Sequence, residues 1–241
     1  MRAHTLGTVI VAFALALVGA ILLVKRQFDI EMRQARAHTA QGSVLLSTRC
    51  GPIEYQESGT GLPMLAVHGS GGGHEPLTYK PPTQADSAPA MPPWVEATMM
   101  RLISSDFLFW AALHLARDQV IKVVIATPPE LLLHASPSEQ ARIDAMLANI
   151  LPVSLRAEGL RSDTAVGKHL SPSPLESIRV PTLIISARDD RYGTYASAQY
   201  TASHIAGAKF VGCDEGGHTW VGHDDEVGAA IVGLLIPQAQ Q

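Results

Sequence analysis

Hydrophobic residues are concentrated first in an uninterrupted run near the N-terminus, residues 6–24, which carries no charged side chain. Its 19 residues, at about 1.5 Å per helical residue, match the roughly 30 Å hydrocarbon core of a bilayer, so the run predicts a membrane-spanning helix. A cleaved signal peptide is the alternative, because small residues occur at 37–40. A signal peptide usually has an apolar core of only about 7 to 15 residues, which favours an uncleaved anchor. Basic residues that follow the run favour a cytoplasmic main domain.

Short apolar stretches with a strand-like pattern come next. Residues 43–48 and 52–56 alternate apolar and polar positions and predict two early strands. Residues 62–67 form an apolar burst that runs straight into a glycine-rich loop at 68–73, which is typical of a buried parallel strand. Between residues 76 and 93, six prolines remove backbone donors and disfavour helix. No core element is predicted there.

The pattern then changes to helical spacing from residue 94 to about residue 170. Residues 121–126 alone could pass as a strand, but helical pattern on both sides predicts that a helix continues through them. After this region an α/β pattern returns. Its predicted elements are a strand at 180–186, a helix at 195–204, a short strand at 208–213 and a helix at 224–235.

The composition agrees with one globular domain behind an anchor. The chain has 241 residues, of which 46% are hydrophobic, enough for a domain of about 200 residues. We expect an anchor at 1–26, a linker at 27–41 and a domain at 42–241. A formal net charge of −4 offers no broad basic surface, so nucleic acid is not expected as a partner. Cys50 and Cys213 form no CxxC pair, so neither a zinc site nor a disulfide framework is predicted.

Three segments of the domain resemble the α/β-hydrolase superfamily, specifically its lipase, esterase and epoxide-hydrolase-like branch with a helical lid. Residues 65–72, LAVHGSGG, are similar to the family's third strand and the HG loop after it. Residues 181–190 resemble the strand that delivers the acid of the catalytic triad, and residues 216–218, GGH, resemble the loop that delivers its histidine. The resemblance covers roughly residues 42–235. It implies an α/β fold with a hydrolase-like parallel sheet and a helical lid at 94–170.

The resemblance also implies a serine-hydrolase mechanism and assigns residues to it. Acyl transfer needs a base, an acid that fixes the tautomer of the base, and N–H donors for the developing oxyanion. His218 takes the place of the base. Asp190 takes that of the acid, with Asp189 as the alternative if the strand is aligned one residue earlier. The oxyanion hole falls in the HG loop at Gly69 and Ser70, where the backbone N–H of Ser70 is the implied donor.

The family's nucleophile elbow, G-x-S-x-G or a close variant, has no counterpart between the HG loop and the lid. Ser70 is not interpreted as the nucleophile, because it follows the third strand and does not stand on a strand-to-helix elbow. The interval of residues 75–93 also leaves no place for the family's fourth, fifth and sixth strands, which implies an internal deletion. No cofactor or metal is implied. His223 is interpreted as a polar residue at the start of the last helix.

Three interpretations of function stay open. In the first, the chain descends from a membrane-anchored serine hydrolase that cleaves a carboxylic ester or a related bond, and its activity is impaired. In the second, it is a non-catalytic, membrane-anchored binding or scaffold module on a hydrolase-like fold. In the third, the deletion comes from a rearranged or mispredicted gene, and the natural protein is an ordinary hydrolase. The expected partners are the membrane and, for an active chain, a small ester-like substrate.

Overall fold

The computed structural model describes residues 2–49, 51–57, 59–60, 93–167 and 174–239. Its contacts divide the chain into two compact units, Met1–Ser58 and Gly59–Gln241, and each is described by itself. The predicted strand at 62–67 and the HG loop with Gly69 and Ser70 lie outside the described residues.

The first unit consists of one long helix and a β-hairpin. Helix α1, Arg2–Thr39, is followed by β1, Ser43–Thr48, and β2, Gly51–Gln56. The two strands pair antiparallel. Among the described residues, α1 is the one helix that is long and apolar enough to cross a membrane, and an N-terminal signal sequence would pass the same test. Its length and composition therefore identify a candidate membrane span.

The polar half of α1 includes most of the segment expected to be a linker, residues 27–41. That segment contains no proline or glycine, the two residues that disfavour helix most strongly. Side chains four residues apart pair along this half of the helix. Lys25 Nζ lies 2.6 Å from Asp29 Oδ2, and Gln27 Nε2 lies 2.5 Å from Glu31 Oε1. Pairs at this spacing support an exposed helix, so the helix continues well beyond the apolar run.

The second unit is rich in helix. Its helices before the sheet are α2 (Pro93–Ile103), α3 (Asp106–Leu115), α4 (Arg117–Val124), α5 (Pro137–Ile150) and α6 (Ala157–Gly167). The elements that follow are β3 (Leu183–Ala187), α7 (Tyr195–His204), β4 (Lys209–Cys213) and α8 (Asp224–Ala239). Helices therefore account for most of the region predicted to be helical.

Strands β3 and β4 form a two-stranded parallel sheet, with Leu183 opposite Lys209 and Ala187 opposite Cys213. Helix α7 supplies the crossover that parallel pairing requires. This arrangement of a small parallel sheet with helices agrees with the predicted α/β class. The larger hydrolase-like sheet stays a prediction, because its expected third strand falls outside the part of the chain that the structure describes.

The predicted continuation of helix through residues 121–126 is wrong at its end. Helix α4 stops at Val124, and Ala126 adopts a left-handed backbone with φ of 48°. The physical reason is the proline pair that begins at Pro128, because a residue before proline is biased away from helical conformation. The chain turns at Thr127 as a result, and this turn reaches the candidate site.

Helix α5 begins at the predicted start signal. The Ser136 hydroxyl accepts the backbone N–H of Glu139 at 3.3 Å, and the Glu139 carboxylate accepts the backbone N–H of Ser136 at 3.0 Å. This reciprocal capping box satisfies two amides at the helix start. Ile143 of α5 and Ile121 of α4 are both fully buried, so both helices contribute to the apolar core of the unit. The cap and the buried face together fix the direction in which α5 presents its polar residues.

Candidate active site

Two polar side chains meet beyond the carboxyl ends of the parallel strands. Asp190 follows β3, and His218 lies in the loop after β4. The His218 Nδ1 atom lies 3.0 Å from Asp190 Oδ2, a hydrogen-bond distance. The Asp190 side chain is 1% exposed, whereas the His218 side chain is 46% exposed. A buried carboxylate therefore holds a histidine ring that solvent reaches, while a catalytic role for the pair stays a prediction.

The Asp190 carboxylate accepts three hydrogen bonds. Besides His218, its donors are the Tyr192 backbone N–H, at 2.8 Å, and the Thr194 hydroxyl. The Thr194 hydroxyl also lies 3.0 Å from that of Ser186. Burial alone would raise the pKa of Asp190, but these hydrogen bonds, the strongest from His218, hold the pKa below its ordinary value. The ionised carboxylate favours a proton on Nδ1 of the histidine, which leaves Nε2 as the basic nitrogen.

Asp189 binds the backbone of the histidine loop. Its Oδ1 accepts the backbone N–H of Gly217 at 2.8 Å, and its Oδ2 accepts that of Gly216 at 3.2 Å. The two alignments that the sequence left open thus correspond to two different contacts. Asp190 touches the ring of His218, and Asp189 holds the loop in which that ring stands.

The histidine loop needs glycine because of its backbone conformation and its close packing. Gly216 has φ of 134° and Gly217 has φ of 63°, both in the region that side chains disfavour. A Cβ atom on Gly217 would lie 2.6 Å from Cα of Thr127. The Thr127 hydroxyl lies 2.8 Å from that of Thr219, and both residues are buried. The loop is therefore pressed against the turn that follows α4.

That turn also supports the acid side of the site. The Ala126 carbonyl accepts the backbone N–H of Arg191 at 3.1 Å and that of His218 at 3.3 Å. The Tyr192 hydroxyl donates to the Val124 carbonyl at 2.6 Å. The rings of Tyr192 and His218 meet edge to face, with centroids 4.8 Å apart. No local sequence signal predicts that residues 124–127 contact the site. The apolar run before them and the proline pair after them indicate only that the chain turns there.

Helix α5 holds the far end of the same loop. The Glu139 carboxylate accepts the backbone N–H of Gly222 at 2.5 Å. Arg142 donates to the Thr219 carbonyl at 3.0 Å and to both carboxylate oxygens of Asp224, at 2.6 and 3.1 Å. Glu139 lies in the first turn of α5, which the capping box fixes, and Arg142 lies three residues further along the helix. The loop is consequently bound by α5, by the turn after α4 and by the end of β3.

The remaining predicted site residues have separate outcomes. Gly69 and Ser70, the implied oxyanion donors, lie outside the described residues, so their relation to His218 stays a prediction. His223 directly precedes α8, where the sequence places it, and its Nδ1 atom lies 3.0 Å from Glu226 Oε2.

Comparison with known proteins does not assign a function to this chain, so a functional proposal has to rest on the geometry of the site. No protein-family model matches the chain, and no curated protein matches it. Among solved structures, an esterase from Exiguobacterium antarcticum is similar at 19% identity with a TM-score of 0.31, over 55% of this chain and 46% of the esterase. The chain thus spans less than half the length of that esterase. Similarity of this strength is too low to establish a common fold or a common activity.

The packing of the histidine loop predicts a large cost for Gly217→Ala. The left-handed backbone costs about 1–2 kcal/mol with a side chain, and the overlap with Thr127 adds about 1–3 kcal/mol. Gly207→Ala is the matched control, because Gly207 has φ of 77° but open space around its Cβ position. The free energy of unfolding in urea, followed by tryptophan fluorescence, should fall further for Gly217→Ala. Equal losses would show that Thr127 does not restrain the loop.

The lowered pKa of Asp190 predicts how its removal depends on pH. Its ionised form stabilises the fold above the unfolded pKa of about 3.9, and this stabilisation is lost as pH falls through the lower folded pKa. Asp190→Asn should therefore cost about 1–3 kcal/mol near neutral pH and progressively less in acid. Asp144→Asn, at an exposed carboxylate paired with Arg117, should change stability by less than about 1 kcal/mol at any pH. Unfolding free energies measured across the acid range check this, and a pH-independent difference for Asp190→Asn would contradict it.

Proposed function

We propose that the second unit is an ester hydrolase related to the α/β-hydrolases, with His218 as general base and Asp190 as the acid that orients it. The observation that carries this proposal is the 3.0 Å contact between the buried Asp190 carboxylate and the half-exposed His218 ring. A histidine without a partner has no fixed tautomer or direction, and a buried ionised carboxylate supplies both. The same carboxylate stabilises the imidazolium that forms when His218 accepts a proton.

In the proposed reaction, Nε2 of His218 accepts a proton from water while the water oxygen attacks the carbonyl carbon of a carboxylic ester. The tetrahedral intermediate then breaks its bond to the alcohol oxygen, which takes the proton from His218. The products are a carboxylic acid and an alcohol, and the protein is unchanged. The backbone N–H of Ser70, next to Gly69, is the proposed donor to the oxyanion.

The lack of a recognisable nucleophile limits the rate of hydrolysis that we expect. The nucleophile-elbow motif is absent from the sequence, so the covalent route through an acyl-serine has no recognisable nucleophile. Water activated by His218 is the route that the present residues support. General base catalysis contributes about 10²–10⁴-fold, so we expect slow hydrolysis, far below that of an intact serine hydrolase.

We propose further that α1 stays attached as a membrane anchor and that the second unit faces the cytoplasm. The length and apolar composition of α1 support the anchor, and the basic residues after the apolar run support the orientation.

Expression in a bacterial host tests both parts of the anchor proposal. The protein should remain in the membrane pellet after alkaline washing and keep Met1 by mass spectrometry. Protease added to intact spheroplasts should leave the second unit uncut. A soluble chain that begins near residue 40 would identify α1 as a cleaved signal sequence, and digestion in intact spheroplasts would reverse the orientation.

Ester turnover tests the catalytic proposal. The detergent-solubilised full chain should hydrolyse p-nitrophenyl acetate faster than buffer does. His218→Ala should remove this excess, a loss of about 10²-fold or more where the rate allows it to be measured, and Asp190→Asn should lower it by a smaller factor. His204→Ala is the matched control, because His204 bonds to the Tyr200 carbonyl in α7 and should leave the rate unchanged.

A fluorophosphonate serine probe, followed by mass mapping, distinguishes water from a hidden nucleophile. No serine labelling together with His218-dependent turnover would support water attack. Labelling of one serine that disappears in His218→Ala would replace water by an unrecognised serine nucleophile. A folded sample with neither turnover nor labelling would contradict ester hydrolysis and leave a binding or scaffold role.

A further inference from the structure

A second group of reactive side chains lies beside the histidine loop and has no part in the proposed hydrolysis. Cys213 is the last residue of β4, His223 directly precedes α8, and Glu226 stands in the first turn of that helix. The loop 214–222 returns the chain to the end of β4. As a result, one potential ligand atom from each of the three side chains lies within 4.8 Å of the other two.

We propose that Cys213, His223 and Glu226 bind one Zn²⁺ ion. Sulfur, imidazole nitrogen and carboxylate oxygen are the three kinds of donor that Zn²⁺ takes in proteins, usually with tetrahedral geometry. A site with sulfur and nitrogen donors does not suit Mg²⁺ or Ca²⁺, which favour oxygen ligands. Three protein ligands leave the fourth position for water, as in an open zinc site.

The separation of two of the ligands is already close to the required value. The His223 Nδ1 atom lies 3.0 Å from Glu226 Oε2. Two ligands at about 2.0–2.2 Å from a tetrahedral ion lie about 3.3–3.6 Å apart, so a small rotation of either side chain admits the ion. A hydrogen bond at the helix start accounts for the His223–Glu226 pair by itself. That hydrogen bond does not explain why the Cys213 thiol lies within 4.8 Å of the same two side chains.

The position of the group gives a cation both access and favourable charge. Cys213 is buried and Glu226 is exposed, so the group extends from the interior to the surface. Burial and the nearby carboxylates of Glu226, Asp189 and Asp214 raise the pKa of the Cys213 thiol, so an ion must displace the thiol proton when it binds. The same carboxylates attract a divalent cation.

A bound ion would fasten the histidine loop at both ends. Cys213 and His223 flank the loop 214–222, and His218 lies inside it. Zinc would thus act as a clamp on the segment that positions the ring of His218. Since binding to a folded site stabilises the folded state, the proposal requires that Zn²⁺ raise the melting temperature of the protein. The clamp is independent of whether the chain hydrolyses esters.

Metal titration of the reduced, tag-free, detergent-solubilised full chain tests the proposal. We expect one Zn²⁺ per chain by calorimetry and a higher melting temperature by tryptophan fluorescence. Co²⁺, used as a spectroscopic probe, should give the absorption of a tetrahedral site with a thiolate charge-transfer band. Cys213→Ser should remove that band, and His223→Gln and Glu226→Gln should each weaken Zn²⁺ binding by more than about tenfold.

The controls use the same residue types elsewhere in the chain. Cys50→Ser, His204→Gln and Asp225→Asn should bind Zn²⁺ as the unaltered protein does. If Cys213→Ser fails to fold, His223→Gln and Glu226→Gln still test the site. Both residues are at least partly exposed, so these substitutions should leave the protein folded. The proposal is overturned if the folded protein binds no stoichiometric Zn²⁺, if Co²⁺ gives no thiolate band, or if Cys50→Ser abolishes binding while the His223 and Glu226 variants retain it.

Discussion

Two consecutive carboxylates at the end of β3 are the constraint on which the candidate active site depends. Asp190 holds the ring of His218, and Asp189 holds the backbone of Gly216 and Gly217. They reach this loop because β3 and β4 are parallel and their carboxyl ends lie at the same edge. The pairing continues past the strand, where the Arg188 backbone N–H donates to the Cys213 carbonyl at 2.9 Å. The register of two short strands thus determines whether acid and histidine meet.

The helical region completes the site by restraining the loop from its other sides. Fixing one residue of backbone costs about 1–2 kcal/mol of conformational entropy, so a loop with four positive φ angles, at Gly216, Gly217, Trp220 and Gly222, needs compensating contacts. The turn after α4 contributes the Ala126 carbonyl, and α5 contributes Arg142. The zinc clamp that we propose would act on the same loop, through Cys213 at one end and His223 at the other.

The elements that are marked by local signals are the ones that the sequence predicts well. The β-branched run before Asp190 predicts β3, and Ser136 with Glu139 predicts the start of α5. The end of α4 is not predicted, although the proline pair that follows it explains the turn. The family resemblance assigns His218 and Asp190 to one site, and the structure places a hydrogen bond between them, while their catalytic role stays a prediction. The chemical meaning of this pair still depends on the HG loop, which also stays a prediction.

Contacts between distant segments are what the sequence could not provide. The loop-holding contact of Asp189, the support from Ala126 and the meeting of Cys213 with His223 all join residues whose spacing follows no short motif. Such contacts arise from the parallel register and from the way α4 and α5 pack, and neither has a periodic signature in the chain. Either Asp189 or Asp190 can therefore be aligned with the acid from the sequence. In the structure Asp190 contacts the ring of His218, and Asp189 binds the backbone of its loop.

The most direct test of the account is a nitrogen NMR spectrum of the full chain with its histidines labelled with ¹⁵N, compared with the spectra of His218→Ala and Asp190→Asn. We expect the neutral His218 ring to carry its proton on Nδ1 and not on Nε2, with the Nδ1–H proton shifted downfield by the Asp190 hydrogen bond. That signal should vanish in both variants. A folded protein without such a proton, or one that keeps it in Asp190→Asn, would contradict the claim that Asp190 orients His218.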